Sequence, residues 1–341
     1  MEMKNVTKLS QRFYIFFPSN DKKQQGDNMK KPLIAAIATL AVAAGAQAES
    51  KFYGKMNVSF NYMDSDPELT IASHASRLGV KGSEDLGSSK VIYQAEYQID
   101  VADGYGTDSD NGTDTDTNTI KPRDTYIGLA YSGMGTVKMG IMDTPLKKSQ
   151  GKFDLFNDVF DIKRAIDGDK RLANSLNYTT EKMSGIQASV SYILMEDANG
   201  VADDGISANV TYKQGDIYAA LAMDSKTEDA DTATTRATVI YSLGDMRFGA
   251  LVNIVDESDT AATGEELGYA VNGSMKMGKN TVKVQYGASD QGGDLGATAL
   301  SLGVDHKLGK ATKAYGYVDM SDADAANSDL MVVAFGLEHK F

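Results

Sequence analysis

From Lys51 onwards the chain alternates apolar and polar positions with a period of two, the spacing of a β-strand with one apolar face. Phe52, Gly54, Met56, Val58, Phe60 and Tyr62 fall on one side of the first segment; Lys51, Tyr53, Lys55, Asn57, Ser59 and Asn61 fall on the other. Leu78, Val80 and Gly82 oppose Arg77, Lys81 and Ser83, and Val282, Val284 and Tyr286 oppose Thr281, Lys283 and Gln285. Sixteen such segments begin near residues 51, 76, 89, 123, 135, 173, 185, 205, 216, 234, 245, 265, 279, 297, 311 and 330. Those near Ile217 and Ala299 carry the weakest alternation.

The connections between segments alternate in length. Seven are short and polar, among them Ser132–Gly135, Lys213–Asp216 and Ser242–Asp245; the intervening ones are longer and rich in Asp, Asn, Ser and Gly. Short turns on one rim and long loops on the other predict an all-β fold: an antiparallel up-and-down barrel crossing a membrane, with the long-loop rim outside. Tyr131, Tyr212 and Tyr241, with Tyr178 close by, stand on the apolar face just before short turns, where an aromatic girdle meets the lipid interface. Met331, Val333, Phe335, Leu337 and Phe341 alternate to the last residue, an ending that a soluble β-sandwich has no use for.

Composition narrows the reading further. The 341 residues include 34 Lys+Arg, 47 Asp+Glu, three His, no Cys and no Trp. No disulfide scaffold, thiolate zinc site or Cys nucleophile can be built, and a net charge of −13 argues against a nucleic-acid partner. A mean hydropathy of −0.32 excludes a helical bundle but not a barrel, whose alternating strands average out. Residues 29–48, MKKPLIAAIATLAVAAGAQA, have the basic start, the short apolar core and the Ala-Gln-Ala end of an export signal cut before Glu49. Residues 1–28 then read as a mis-called start or an unstructured extension, and 49–341 as the barrel. Cleavage there removes seven basic and three acidic residues, leaving 27 against 44.

The segment Ser76-Arg77-Leu78-Gly79-Val80-Lys81-Gly82-Ser83-Glu84-Asp85-Leu86-Gly87 resembles the second-strand signature of the Gram-negative general diffusion porins. Arg123-Asp124-Thr125-Tyr126-Ile127-Gly128-Leu129 and Gly135-Thr136-Val137-Lys138-Met139-Gly140 are similar to that family's fourth and fifth strands, and Asn174-Ser175-Leu176-Asn177-Tyr178 to its sixth. Asp143-Thr144-Pro145-Leu146 stands where the third loop should open. The resemblance covers essentially residues 29–341. It implies a homotrimer in the cell outer membrane, in contact with lipid and lipopolysaccharide, passing small hydrophilic solutes. It also implies that the terminal Phe341 is an assembly signal for the barrel insertion machinery. No cofactor and no metal are implied.

A barrel of this size leaves an aqueous channel that something must narrow. Between Asp143 and Lys170 the alternation stops, and Phe153, Phe156 and Phe160 recur at the spacing of a short amphipathic helix. Folded inward, such a loop would set its aromatic side on the wall and turn Asp154, Asp158 and Asp161 to the pore. The family places a basic ladder opposite. Alternation points Lys55, Arg77 and Lys81 into the lumen; Arg123 matches by motif but shares parity with Ile127 and Leu129, and Arg171 precedes the sixth strand. Ile141 and Asn177 stand where the family often has Arg, so the ladder is thinned and a weak cation preference is expected. A sugar- or anion-selective channel is the alternative, with Tyr315 and Tyr317 as the start of an aromatic track. The Asp-rich stretch 103–118 has alternating carboxylates but not the full spacing of a calcium loop. His74, His306 and His339 have no catalytic partner at recognisable spacing, and no G-x-S-x-G nucleophile motif is present, so no enzyme is expected.

Overall fold

The computed structural model describes residues 48–65, 69–102, 120–194, 204–227, 232–257, 265–291, 295–323 and 329–341. The expected leader, apart from Ala48, and the Asp-rich stretch 103–118 lie outside the described residues. Sixteen strand positions form one antiparallel sheet closed on itself. β1 is Ala48–Met63; β2 comes in two pieces, Leu69–Ser73 and Arg77–Asp85; then β3 Ser89–Ile99, β4 Ile120–Tyr131, β5 Gly135–Asp143, β6 Arg171–Thr179, β7 Ile186–Ile193 and β8 Gly205–Gln214. They continue as β9 Ile217–Ser225, β10 Thr232–Leu243, β11 Met246–Glu257, β12 Glu266–Met277, β13 Asn280–Gln291, β14 Leu295–Lys307, β15 Thr312–Ala323 and β16 Leu330–Lys340. The two weakly alternating segments are therefore strands β9 and β14.

Each strand pairs with the next, and β1 joins both edges. Its residues 55–63 pair with β16, from Lys55 opposite Lys340 to Met63 opposite Val332, while both pieces of β2 pair along its other side. No sheet edge is left to expose backbone groups to hydrocarbon. The strands are eight to sixteen residues long, enough for a tilted crossing of the bilayer. Seven short turns, such as 215–216 and 244–245, lie on one rim, and the long connections lie on the other.

Polarity is inverted relative to a water-soluble protein. Phe335 is 64% exposed and Leu221 66%, whereas Arg236 and Asn253 are 2% and 1% exposed. The exposed apolar set forms the lipid-facing surface, and the hidden polar set faces inward. Tyr131, Tyr178, Tyr212 and Tyr241 are all exposed near the short-turn rim.

Two irregularities re-aim side chains. Between β3 and β4, Ala95 lies opposite Thr125 but Tyr97 lies opposite Pro122, so β4 carries one extra residue against Glu96. Pro122 supplies no N–H, and a bulge is one of the few places where a strand tolerates it. Between β5 and β6, Gly140 faces Ser175 and Met142 faces Leu172, so β6 has its own extra residue. Asn174 sits there at φ +52°.

Candidate pore constriction

The connection 144–170 folds inside the barrel and lines it. Thr144 caps a short helix α1 (Pro145–Ser149), its Oγ1 accepting from the Lys147 backbone N–H at 3.1 Å, with Pro145 in the first turn. The sequence spacing puts a short helix around Phe153, Phe156 and Phe160 instead; there the chain runs in turns, and the helical turns lie on either side, at α1 and at the 3₁₀ turn Ile162–Arg164. The spacing of Phe153, Phe156 and Phe160 served burial rather than helix formation. All three rings are buried on the wall. Phe153 packs with Leu251, Ala270 and Ala299, while Phe156 and Phe160 pack with Tyr315, Tyr317, Val332 and Ala334. Gly249 makes room for Phe153: a Cβ there would sit 2.9 Å from the ring, too close for any side chain.

Polar side chains of the wall strap the loop's backbone. The Leu146 N–H donates to Ser207 Oγ at 3.1 Å, and Asn209 donates to the Pro145 carbonyl at 2.6 Å. Asn272 donates to the Phe153 carbonyl at 2.6 Å, Lys283 to that of Leu155 at 2.7 Å, and Gln285 Oε1 accepts from the Leu155 N–H at 2.9 Å. Arg236 holds the returning limb, donating to Asp169 Oδ1 and to the Asp167 carbonyl, both at 2.6 Å. The loop supplies these buried groups with the partners named here, so the wall and the loop need each other. Arg236, Lys283, Asn209, Asn272 and Gln285 escaped the sequence reading. Their signal was present, because each stands on the polar parity of its strand.

The three loop carboxylates expected to face the pore have three different places. Asp158 reaches the wall: Lys55 Nζ donates to it and Arg77 Nη2 lies 3.9 Å away. Burial alone would raise its carboxyl, but Lys55 and Arg77 hold it below the ordinary carboxylate range. Asp154 does not face the pore. It is turned into the loop and wall, where it accepts from the Phe156 and Ile162 N–H groups and from Gln285 Nε2 at 2.9–3.1 Å. Burial, with Asp161 nearby, pushes its carboxyl up to about 7. Asp161 caps the 3₁₀ turn, accepting from the Lys163 N–H at 3.1 Å. Burial and Asp169 push it up as well.

The loop's contacts run from β7 round to β16 and end on β1 and β2. The opposite arc of wall, β1–β6, borders a cavity of about 410 Å³ lined by Lys55, Arg77, Glu96, Arg123, Asp124 and Arg171, among others. The bulge on β4 is what brings Arg123 there despite its parity with the lipid-facing Ile127. Arg123 Nε donates to Glu96 Oε1 at 2.8 Å and its Nη1 to Gln98 at 2.9 Å. Arg77 Nε lies 4.0 Å from the same Glu96 oxygen. Arg171 donates to Asp124 at 2.9 Å and lies 2.8 Å from Asp143. Lys81 stands apart from this group, its Nζ 5.0 Å from the centre of the Tyr53 ring. Each arginine of this arc thus has a carboxylate on its own wall, and of this group Lys55 and Arg77 also meet the loop. Tyr315 and Tyr317 stack at 4.5 Å but lie under Phe156 and Phe160, so they form no track in the lumen. The three histidines are held separately by Ser59, Asn280 and Thr312.

A family model described as Gram-negative porin matches residues 34–326. The major outer membrane protein P.IB of Neisseria meningitidis serogroup B is 30% identical over 205 residues, and the match spans 56% of this chain but only 57% of that protein's length. Outer membrane porin protein 32 of Delftia acidovorans is 28% identical over 322 residues, 84% of this chain and 88% of the relative. Among solved structures, an anion-selective porin from Comamonas acidovorans superposes with a TM-score of 0.69 at 21% identity, covering 86% of this chain and all of the other. OmpT of Vibrio cholerae in its trimer form gives 0.66 at 16% identity over 86% and 100%. Both structures share the fold. The named relatives are outer-membrane proteins, and the apolar belt of this barrel suits the same bilayer. Because the family match begins before β1 and runs past β15, the chain belongs to the Gram-negative porin family.

Proposed function

We propose that the protein is a passive channel of the outer membrane for small hydrophilic solutes and ions, with a weak preference for cations. One observation carries the reading: the loop lines one arc of the lumen and leaves the other arc open beside a cavity of charged side chains. Four basic groups at that cavity, Lys55, Arg77, Arg123 and Arg171, face the four acids Asp158, Glu96, Asp124 and Asp143, and a fifth, Lys340, pairs with Glu338. With the two signs matched at the narrow point, the excess of acidic residues in the rest of the exported chain tips selectivity toward cations, weakly, because charges beyond about 10 Å are screened at 0.1 M salt. The Delftia and Comamonas relatives favour the opposite sign as a second reading, since the latter is described as anion-selective. No chemical step is part of either.

The chain assembles as a homotrimer on this reading, after removal of the leader before Glu49, with Phe341 read by the insertion machinery and the outer face in contact with lipid and lipopolysaccharide. Conductance of the purified protein in a planar bilayer tests it. Ohmic steps in groups of three are expected, with a small cation-sided reversal potential across a KCl gradient. An anion-sided potential would overturn the selectivity; a folded barrel that passes no current would overturn the channel.

A further inference from the structure

The charged groups of the open arc are not segregated by sign. Along the wall from the loop tip they run Lys55, Asp158, Arg77, Glu96 and Arg123, each within 4.0 Å of an opposite charge. A second run joins Lys147, Asp143, Arg171 and Asp124 at 2.8–3.5 Å. Both runs border the same small cavity. A single ion passing such a belt meets attraction and repulsion side by side, and the two nearly cancel. A solute that carries both signs a few atoms apart meets a different field. Its carboxylate can approach Arg123 or Arg171 while its ammonium approaches Glu96 or Asp143, so both ends gain at once. The guanidinium groups suit this role because a planar fork can keep one carboxylate and accept a second. The side chains are 12–22% exposed, so they are held in place by one another yet open to the lumen.

We infer that the constriction is a site for small zwitterions, of which free amino acids are the simplest class, and that it admits them faster than neutral solutes of the same size. The inference rests on the diffusion-channel reading and adds the preferred class of solute. It differs from selectivity for anions or cations, because removing either sign should abolish it.

The test is osmotic swelling of proteoliposomes containing the full exported chain, with L-glutamine compared against the neutral pentose L-arabinose, which has nearly the same mass. Glutamine is expected to enter about tenfold faster, the lower end of the range over which a focused field raises local concentration. Glu96→Gln and Arg123→Gln should each bring the ratio of the two rates toward one. They should also move the KCl reversal potential in opposite directions, which a purely structural role for the ion pairs would not produce. Equal rates for glutamine and arabinose in the unaltered protein would overturn the inference and leave the channel reading standing. Entry of neither solute, with no current, would overturn both.

Discussion

At the scale of single residues, the loop's carboxylates are tuned in opposite senses by their surroundings. Asp158 is held below the ordinary carboxylate range by Lys55 and Arg77 although burial opposes it, so its contribution to loop docking is present above that range and is lost as pH falls through it. Asp154 is pushed up to about 7 by burial and by Asp161, so its contribution is present in its protonated form and is lost as pH rises through about 7. The loop should therefore be held most firmly in a window around the ordinary carboxylate range, and its hold should weaken as pH rises from there through about 7 and as it falls below that range. Open-channel current noise, taken as a measure of loop motion, should be lowest in that window, and Asp154→Asn should remove the rise on the alkaline side while leaving the acid side. Asp158 also neutralises Lys55 and Arg77, so Asp158→Asn should shift the KCl reversal potential toward anions. An unchanged potential would mean that those two cations do not face the permeating ions.

At the scale of elements, the loop 144–170 is a second lining, not a plug. Phe153 is fully buried against Gly249 and the β11–β14 wall, and Phe153→Ala should cost about 3–5 kcal/mol of loop docking. The variant should admit larger sugars in the swelling assay. Asp169→Ala would strand Arg236, which is 2% exposed, without its partner, and breaking such a pair costs about 3–5 kcal/mol. Faster proteolysis within the loop should report it. The strands and their order were legible in the sequence because a membrane barrel writes its two faces as a strict period of two. The loop was legible as an interruption of that period, and its wall-seeking aromatics were legible as a spacing. Its backbone path was not, because the hydrogen bonds that set it come from Ser207, Asn209, Asn272 and Gln285, polar residues on strands distant in sequence. The inward turn of Arg123 was hidden by parity, although Pro122 inside a strand is the sign of a bulge that would have resolved it.

At the scale of the whole molecule, the barrel is closed by residues from opposite ends of the chain. The Gly54 N–H donates to the Phe341 carbonyl at 3.0 Å, the Phe341 N–H donates back at 3.1 Å, and the ring lies over the bare Cα of Gly54, where any side chain would collide with it. Deleting Phe341 should lower the yield of heat-modifiable barrel in refolding, and Gly54→Val should do the same from the other side of the seam. The loop also bears on this closure. Phe156 and Phe160 rest on β15 and β16, at one end of the wall, while Asp158 reaches Lys55 on β1, at the other. The tip can satisfy all of them together only when β16 lies beside β1. A wall left open at that join would carry those rings and that carboxylate's partner apart. The loop that narrows the channel thus also serves as an internal clasp that holds the two margins of the wall together.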